Sequence, residues 1–237
     1  AYEIHHRLVG SEMCIIDSNK NYVHPLDENH RFPMIKYELI PEQLIRENTC
    51  SIDNFFEPGI ISDELVLDTH EDQYFHRFKN IKLSKKEIRE IGFPLSKGLV
   101  ERELTIAQGT IECTKYSIEH GISMNIAGGT HHAFYDRGEA FCMLNDQAIA
   151  ANYLIKKKLA KRIMIIDLDV HQGNGTASIF KSNPEVFTIS FHGKKNYPFR
   201  KEKSDVDIEF EDNTDDELYL KKLKKHIPTL IENFKPD

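Results

Sequence analysis

Residues 162–175 read RIMIIDLDVHQGNG, an apolar run followed by carboxylates, an imidazole and glycines. The run predicts a strand from Arg162 to Leu168. Strands and helices alternate around it, with a buried strand predicted over residues 122–127, a further strand over 185–191, and helices over 145–159 and 176–181. This alternation predicts an α/β fold built on a parallel sheet.

The remaining segments are predicted to surround this sheet. A strand from Met13 leads into a loop, and helices are predicted over 33–48 with a break at Pro41, 71–79, 84–90 and 96–119. A last helix over 215–234, kinked or restarted at Pro228, should cover one face of the sheet. The acidic stretch 205–216 is interpreted as a solvated loop. Because the alternation calls for another strand after Phe234, we expect the sheet to be unfinished at Asp237.

Composition narrows the class of protein. The 237 residues carry 31 Lys and Arg against 38 Asp and Glu, a formal net charge of −7. This balance argues against direct nucleic-acid binding, which needs a basic surface. No apolar run reaches the roughly 18 to 20 residues of a membrane-spanning helix. With 40% hydrophobic residues, the chain can bury the core of one large domain.

The cysteines and the amino terminus complete this outline. The four cysteines are far apart and form no Cys-x-x-Cys pair, so reduced thiols and a cytoplasmic location are expected. We predict a single domain over residues 13–237 and interpret residues 1–12 as a leader added in cloning. The sequence does not indicate an oligomeric state.

A metal site is predicted directly after the strand. Side chains two residues apart project to the same face of an extended chain, so Asp167, Asp169 and His171 can converge. Clustered carboxylates at the carboxyl end of a strand repel each other unless a cation joins them. Carboxylate and imidazole ligands without thiolates suit zinc, iron or manganese.

A pair of imidazoles follows the neighbouring strand. In Gly128-Gly129-Thr130-His131-His132-Ala133, the glycines permit a tight turn that brings both histidines to the same sheet edge, where they can serve as acid and base. Asp167 and Asn174 are available to orient them. Phe141 is interpreted as a core or channel residue, and Cys142 as a small buried one.

Together these motifs carry a family resemblance. Gly-Gly-x-His-His-Ala, then Phe-Cys with Asn-Asp, then Asp-x-Asp-x-His-x-Gly-Asn-Gly resemble the zinc-dependent histone deacetylases, and look closest to bacterial and class IV members. His24-Pro25-Leu26, His30-Arg31-Phe32-Pro33, Gly92-Phe93-Pro94 and residues 195–200 extend the likeness from about Met13 to the chain end. The resemblance implies a three-layer arginase/deacetylase fold with a central, mostly parallel sheet flanked by helices.

The resemblance also implies a role for individual residues. It assigns His131, His132, Asp167 and Asn174 to catalysis, and Asp169 and His171 to one zinc ion. It assigns substrate binding to Phe141 and Tyr197 as tunnel walls, Asp72 at the rim, Gly129, and Arg31 in the inner acetate pocket. A structural monovalent cation such as K⁺ is implied at Asp167, Asp169 and His171, with backbone from Ser190 and Phe191.

The implied reaction is hydrolysis of an acetylated or acylated lysine side chain, giving acetate or a longer acid and free lysine. A Lewis-acid metal can polarise the amide, and one imidazole can take the proton of the attacking water. The family's third zinc ligand, an Asp, and its oxyanion-stabilising Tyr are expected downstream of Asp237. We therefore expect this chain alone to be weakly metallated or inactive.

Three alternatives stay open at this stage. A binuclear manganese hydrolase resembling arginase needs an Asp two residues after the metal-binding His, where this chain has Gly173. A non-catalytic module could bind acyl-lysine without turnover. A third class hydrolyses small acetylated amines, because the sequence does not distinguish protein substrates from polyamines or other metabolites.

Overall fold

The computed structural model describes residues 14–237. The predicted leader, residues 1–12, lies outside the described residues. The strands are β1 Cys14–Asp17, β2 Phe55–Phe56, β3 Ile122–Asn125, β4 Ile163–Asp167, β5 Val186–Gly193 and β6 Val206–Phe210. The helices are α1 Lys36–Arg46, α2 Asp63–Leu67, α3 Asp72–Lys79, α4 Lys85–Ile91, α5 Lys97–His120, α6 Asp146–Lys156, α7 Asn174–Phe180 and α8 Asp216–Phe234, with short 3-10 turns at Lys20–Tyr22 and Ile52–Asn54.

The predicted parallel α/β architecture is confirmed, with its strands divided between two sheets. The first sheet has the order β2-β1-β3 and the second β4-β5-β6, and every pairing is parallel. Within residues 14–237, no ladder joins β3 to β4. The strand predicted at 122–127 is present as β3, but the expectation that it is buried was wrong, because Ile122 and Met124 are 37% and 40% exposed.

Helices pack against these sheets through continuous apolar contacts. Helix α5 packs on β1 and β3, and its amino terminus is capped by Ser96, whose side chain accepts from the Leu99 amide. In the second sheet, Ile165 and Val186 pack towards α6 and α7. The opposite face, with Phe191, contacts apolar side chains of α8. The second sheet is therefore the middle of three layers.

The predicted loop at 205–216 was wrong, because this stretch contains β6. Its residues alternate, and Val206, Ile208 and Phe210 join the apolar cluster under α8. Asp207 points to the other face, where its carboxylate accepts from Gln172 Nε2 at 2.8 Å and from the Ser204 amide at 3.0 Å. The many acidic residues favoured a loop, although apolar and polar residues alternate here as they do in a strand.

Two prolines lie inside helices without ending them. Pro41 is within α1 and Pro228 is within α8. The predicted break at Pro41 and the restart at Pro228 are therefore not seen. A proline inside a helix removes one backbone hydrogen bond, and each of these helices is long enough to continue on both sides of it.

None of the helices within the described part of the chain is long and apolar enough to cross a membrane.

A buried carboxylate at the end of β1 makes stability depend on pH. Burial raises the pKa of Asp17 to about 7, although the Tyr22 hydroxyl, 2.6 Å from its Oδ2, partly opposes this rise. Because the folded protein holds this proton more tightly than the unfolded chain, the stabilisation is present at low pH and is lost as pH rises through 7. From pH 5 to pH 8, we expect the wild type to lose about 2 kcal/mol of unfolding free energy relative to Asp17→Asn.

Urea denaturation of both proteins at the two pH values measures this difference. Asp27→Asn is the matched control, because Asp27 is exposed. Equal behaviour of the Asp17 and Asp27 variants across this range would contradict the prediction.

Candidate active site

The candidate site is a cavity of about 640 Å³ between the loops that follow β3 and β4. It brings together eight of the predicted site residues. Those that line it are Arg31, Gly129, His131, His132, Phe141, Asp169, His171 and Tyr197. Asp167 and Asn174 stand directly behind the two histidines, as their hydrogen bonds show.

His131 is held by a carboxylate from the other sheet. Its Nδ1–H donates to Asp167 Oδ2 at 2.5 Å, and both side chains are almost buried, with exposures of 10% and 12%. Burial lowers the pKa of His131, but the hydrogen bond and charge of Asp167 outweigh it and hold the pKa above its usual value. The environment of His131 therefore favours the protonated imidazole.

His132 is held by a neutral amide. Its Nδ1 lies 2.7 Å from Asn174 Oδ1, and its ring centroid is 4.1 Å from that of His131. Burial, and then the charge of His131, lower the pKa of His132 to about 4. Two adjacent imidazoles whose pKa values are driven apart form an acid and base pair.

Asp169 and His171 supply two donors of the kind that zinc prefers. His171 Nδ1 lies 2.8 Å from Asp169 Oδ1, and the side chains are 41% and 50% exposed, so both are accessible from the cavity. Within residues 14–237, no group of three or more His, Cys, Asp or Glu side chains is arranged to hold a metal ion. The donor types fit a catalytic zinc site, in which Asp169 and His171 would be two of the usual three protein ligands.

The turn that carries the histidines is fixed by Asp146, a role that the sequence did not reveal. Asp146 Oδ1 accepts from the Gly129 amide at 3.0 Å, the Thr130 amide at 2.8 Å and the Thr130 hydroxyl at 2.6 Å. Its Oδ2 accepts from the Thr110 hydroxyl on α5 at 2.6 Å. In the sequence, Asp146 was visible only as part of the Asn-Asp motif at the start of a helix, which Asn145 caps.

His70 is a second residue that the sequence analysis missed. It is 1% exposed, and burial lowers its pKa to about 4. Nδ1 of the neutral ring lies 2.9 Å from the Phe134 carbonyl oxygen, and Nε2 accepts from the Asn145 amide at 2.9 Å. His70 thus joins the segment after the histidine pair to the start of α6.

A strained turn places Phe141 in the cavity wall. Ala140 and Phe141 both have positive φ, 43° and 69°, and Glu139 and Cys142 exchange backbone hydrogen bonds across them. This is the pattern of a two-residue hairpin turn, and positive φ is costly for residues other than glycine. The amides of Ala140 and Phe141 donate to the carbonyls of Glu90 and Ile91, which hold the turn in place.

Gly92 leaves room for this aromatic wall, and we expect Gly92→Ala to be destabilising. A Cβ at Gly92 would lie 2.9 Å from Phe141 Cε1, and its φ is +85°. Strain and overpacking together should lower the unfolding free energy by about 2 kcal/mol. Thermal unfolding measures this loss. Gly59→Ala is the control, since nothing lies within 4 Å of a Cβ there, and an equal effect of both changes would contradict the argument.

Comparison with known proteins identifies the family. Residues 25–237 match the model of the histone deacetylase domain. An uncharacterised protein of Picosynechococcus is 42% identical over 217 residues, covering 92% of this chain and 72% of its own length. The chain belongs to the histone deacetylase family.

More distant deacetylase-family proteins agree in sequence and fold. The acetoin utilization protein AcuC of Staphylococcus aureus is 27% identical, covering 96% of this chain, and this chain spans 64% of its length. A histone deacetylase homologue from Aquifex aeolicus superposes with a TM-score of 0.79 at 22% identity, over 95% of this chain and 67% of its own. A solved homologue complexed with SAHA gives the same TM-score at 23% identity.

The remaining residues expected from the deacetylase likeness fall in different places. The Arg31 guanidinium lies 4.8 Å from the centroid of the Phe141 ring, on the cavity wall. Asp72 begins α3, is 68% exposed, pairs with His76 at 3.2 Å and does not line the cavity. Its rim role stays a prediction. Ser190 pairs with Asp167 across the β4–β5 ladder, and the cation site there also stays a prediction.

Gly173 bears on the arginase-like alternative. A Cβ at this position would lie 2.3 Å from Asp167 Oδ2. An Asp there would therefore displace the carboxylate that holds His131. The backbone at this position disfavours the second metal ligand of a binuclear site.

Proposed function

We propose that the protein is a zinc-dependent deacylase that hydrolyses the amide of an acetylated or acylated lysine side chain. The observation that carries this proposal is the pair of dyads, His131 with Asp167 and His132 with Asn174, on the wall of the cavity that contains Asp169 and His171. Membership of the histone deacetylase family supports the same reaction.

The hydrogen bonds give each imidazole a distinct task. With Nδ1–H of His132 directed at Asn174 Oδ1, its Nε2 carries a lone pair that can accept the proton of the attacking water. His131, whose pKa Asp167 holds above its usual value, can donate a proton to the departing lysine amine. His132 thus takes a proton from the attacking water, and His131 gives one to the departing amine.

The metal would be held by Asp169 and His171 from this chain. A zinc ion there supplies Lewis-acid polarisation of the acyl carbonyl and lowers the pKa of the attacking water. The Phe141 and Tyr197 rings, which line the same cavity, suit the methylene stem of a lysine side chain. A cytoplasmic location and a structural K⁺ ion belong to this proposal as predictions.

Acetate release from an acetyl-lysine peptide tests the proposal. We would assay the 237-residue chain and the protein as its gene encodes it, with added zinc and after treatment with a chelator. Release that is lost with the chelator and restored by zinc supports a zinc-dependent deacylase. Asp169→Asn should lower it, whereas Asp136→Asn, a change at an exposed residue that does not line the cavity, should not.

Binding measurements separate the alternatives. Peptide binding by both proteins without acetate release at any zinc concentration would replace the proposal with a non-catalytic acyl-lysine module. Release from acetylated polyamines but not from peptides would favour a small-molecule amidohydrolase.

A further inference from the structure

We infer that Glu139 is a positioning residue that fixes both the His132 dyad and the Tyr197 wall through one carboxylate oxygen. The inference rests on the proposed function and adds to it a residue that belongs to neither the dyads nor the metal donors. Glu139 lies in the strained turn that precedes Phe141.

The first contact sets the direction of the Asn174 amide. Asn174 is 3% exposed, and its Nδ2 donates to Glu139 Oε2 at 3.1 Å. A carboxylate can only accept, so the NH₂ end of this amide faces Glu139 and its oxygen faces His132. The oxygen then requires a proton on His132 Nδ1, which leaves the lone pair on Nε2. Glu139 thus selects the tautomer that a general base needs.

The second contact fixes the tunnel wall. The Tyr197 hydroxyl donates to the same Oε2 at 3.3 Å, so its proton is directed away from the reacting centre. The Tyr197 ring stands at 89° to the His132 ring, with 5.0 Å between centroids. Glu139 Oε2 therefore sets the angle between the Tyr197 ring and the His132 ring.

Glu139 has little freedom to leave this position. Its backbone amide and carbonyl both bond to Cys142 across the turn. Its other oxygen, Oε1, faces Arg137 Nε at 3.7 Å, and the Arg137 guanidinium lies 3.6 Å from the centroid of the Phe134 ring. The carboxylate is held on both sides, which is what a positioning role requires.

Steady-state kinetics tests the role. In Glu139→Ala we expect kcat to fall about tenfold to a hundredfold, with partial recovery in Glu139→Gln, which keeps an accepting oxygen. Tyr197→Phe should raise KM with little change in kcat, and its effect should not add to that of Glu139→Ala, because the two share one oxygen. Asp136→Asn, in the same loop, is the matched control. Activity is normalised to the folded fraction, measured by circular dichroism.

Nitrogen NMR of His132 supplies a readout that needs neither metal nor turnover. The parent protein should show the Nδ1–H tautomer, and Glu139→Ala should show a mixture of both tautomers. An unchanged tautomer, or a normalised kcat within about twofold of the parent, would overturn the inference. An inactive parent whose tautomer responds to Glu139→Ala would contradict the proposed function and support the positioning role.

Discussion

Replacing His132 with alanine should lower kcat for acetyl-lysine hydrolysis by about 10²- to 10⁴-fold. The side chain is 4% exposed, faces the cavity and is fixed by Asn174 at 2.7 Å, so no other described group can take over its proton transfer from the same position. KM should change little, because the residue acts on the attacking water more than on the bound acyl-lysine.

The comparison that isolates chemistry from folding uses His120→Ala. His120 ends α5 and stacks on Tyr116, away from the cavity. Circular dichroism spectra should be retained in both variants, and acetate release should be lost only in His132→Ala. Release from His132→Ala within about tenfold of the parent rate would show that another group is the base.

The second large effect concerns stability. Asp146→Ala should lower the unfolding free energy by on the order of 4 kcal/mol, because hydrogen bonds to a charged acceptor contribute about 1.5 to 3 kcal/mol each and two of its donors are backbone amides. The amides of Gly129 and of the buried Thr130 would lose their acceptor. Urea denaturation measures the loss.

Asp146→Asn and Asp136→Ala complete this experiment. The amide variant keeps one accepting oxygen and should lose less stability than the alanine variant. Asp136, which is 55% exposed and pairs only with Arg137, should change stability by less than about 0.5 kcal/mol. An Asp146→Ala loss as small as the control's would mean that the turn does not depend on this carboxylate.

The elements with strong periodicity and clear caps were predictable from the sequence. The helices predicted at 84–90 and 96–119 are present, and Ser84 with Glu87 forms a capping box at α4, while Ser96 caps α5. The predictions were wrong where two sequence signals disagreed. In 205–216, the acidic residues favoured a loop although apolar residues alternate there as in a strand. At Pro41, proline favoured a break, but the helix continues past it.

Parts of the candidate site were predictable because the motifs contain residue types that orient imidazoles. Asp167 and Asn174 were expected to hold the two histidines, and the structure pairs them with His131 and His132. Asp146 and Glu139 gave no such signal, since their partners depend on how a turn folds back on a helix. Composition and residue spacing do not indicate how such a turn packs against a helix.

The division of the strands into two sheets has a mechanical consequence for the site. Both imidazoles stand on the loop after β3, whereas Asp167 ends β4 and Asn174 begins α7, so each dyad crosses the boundary between the sheets. A relative shift of about 1 Å would lengthen both hydrogen bonds together beyond their useful range. The rate of hydrolysis should therefore depend on the alignment of the two sheets. Substitutions remote from the cavity can lower the rate by altering that alignment alone.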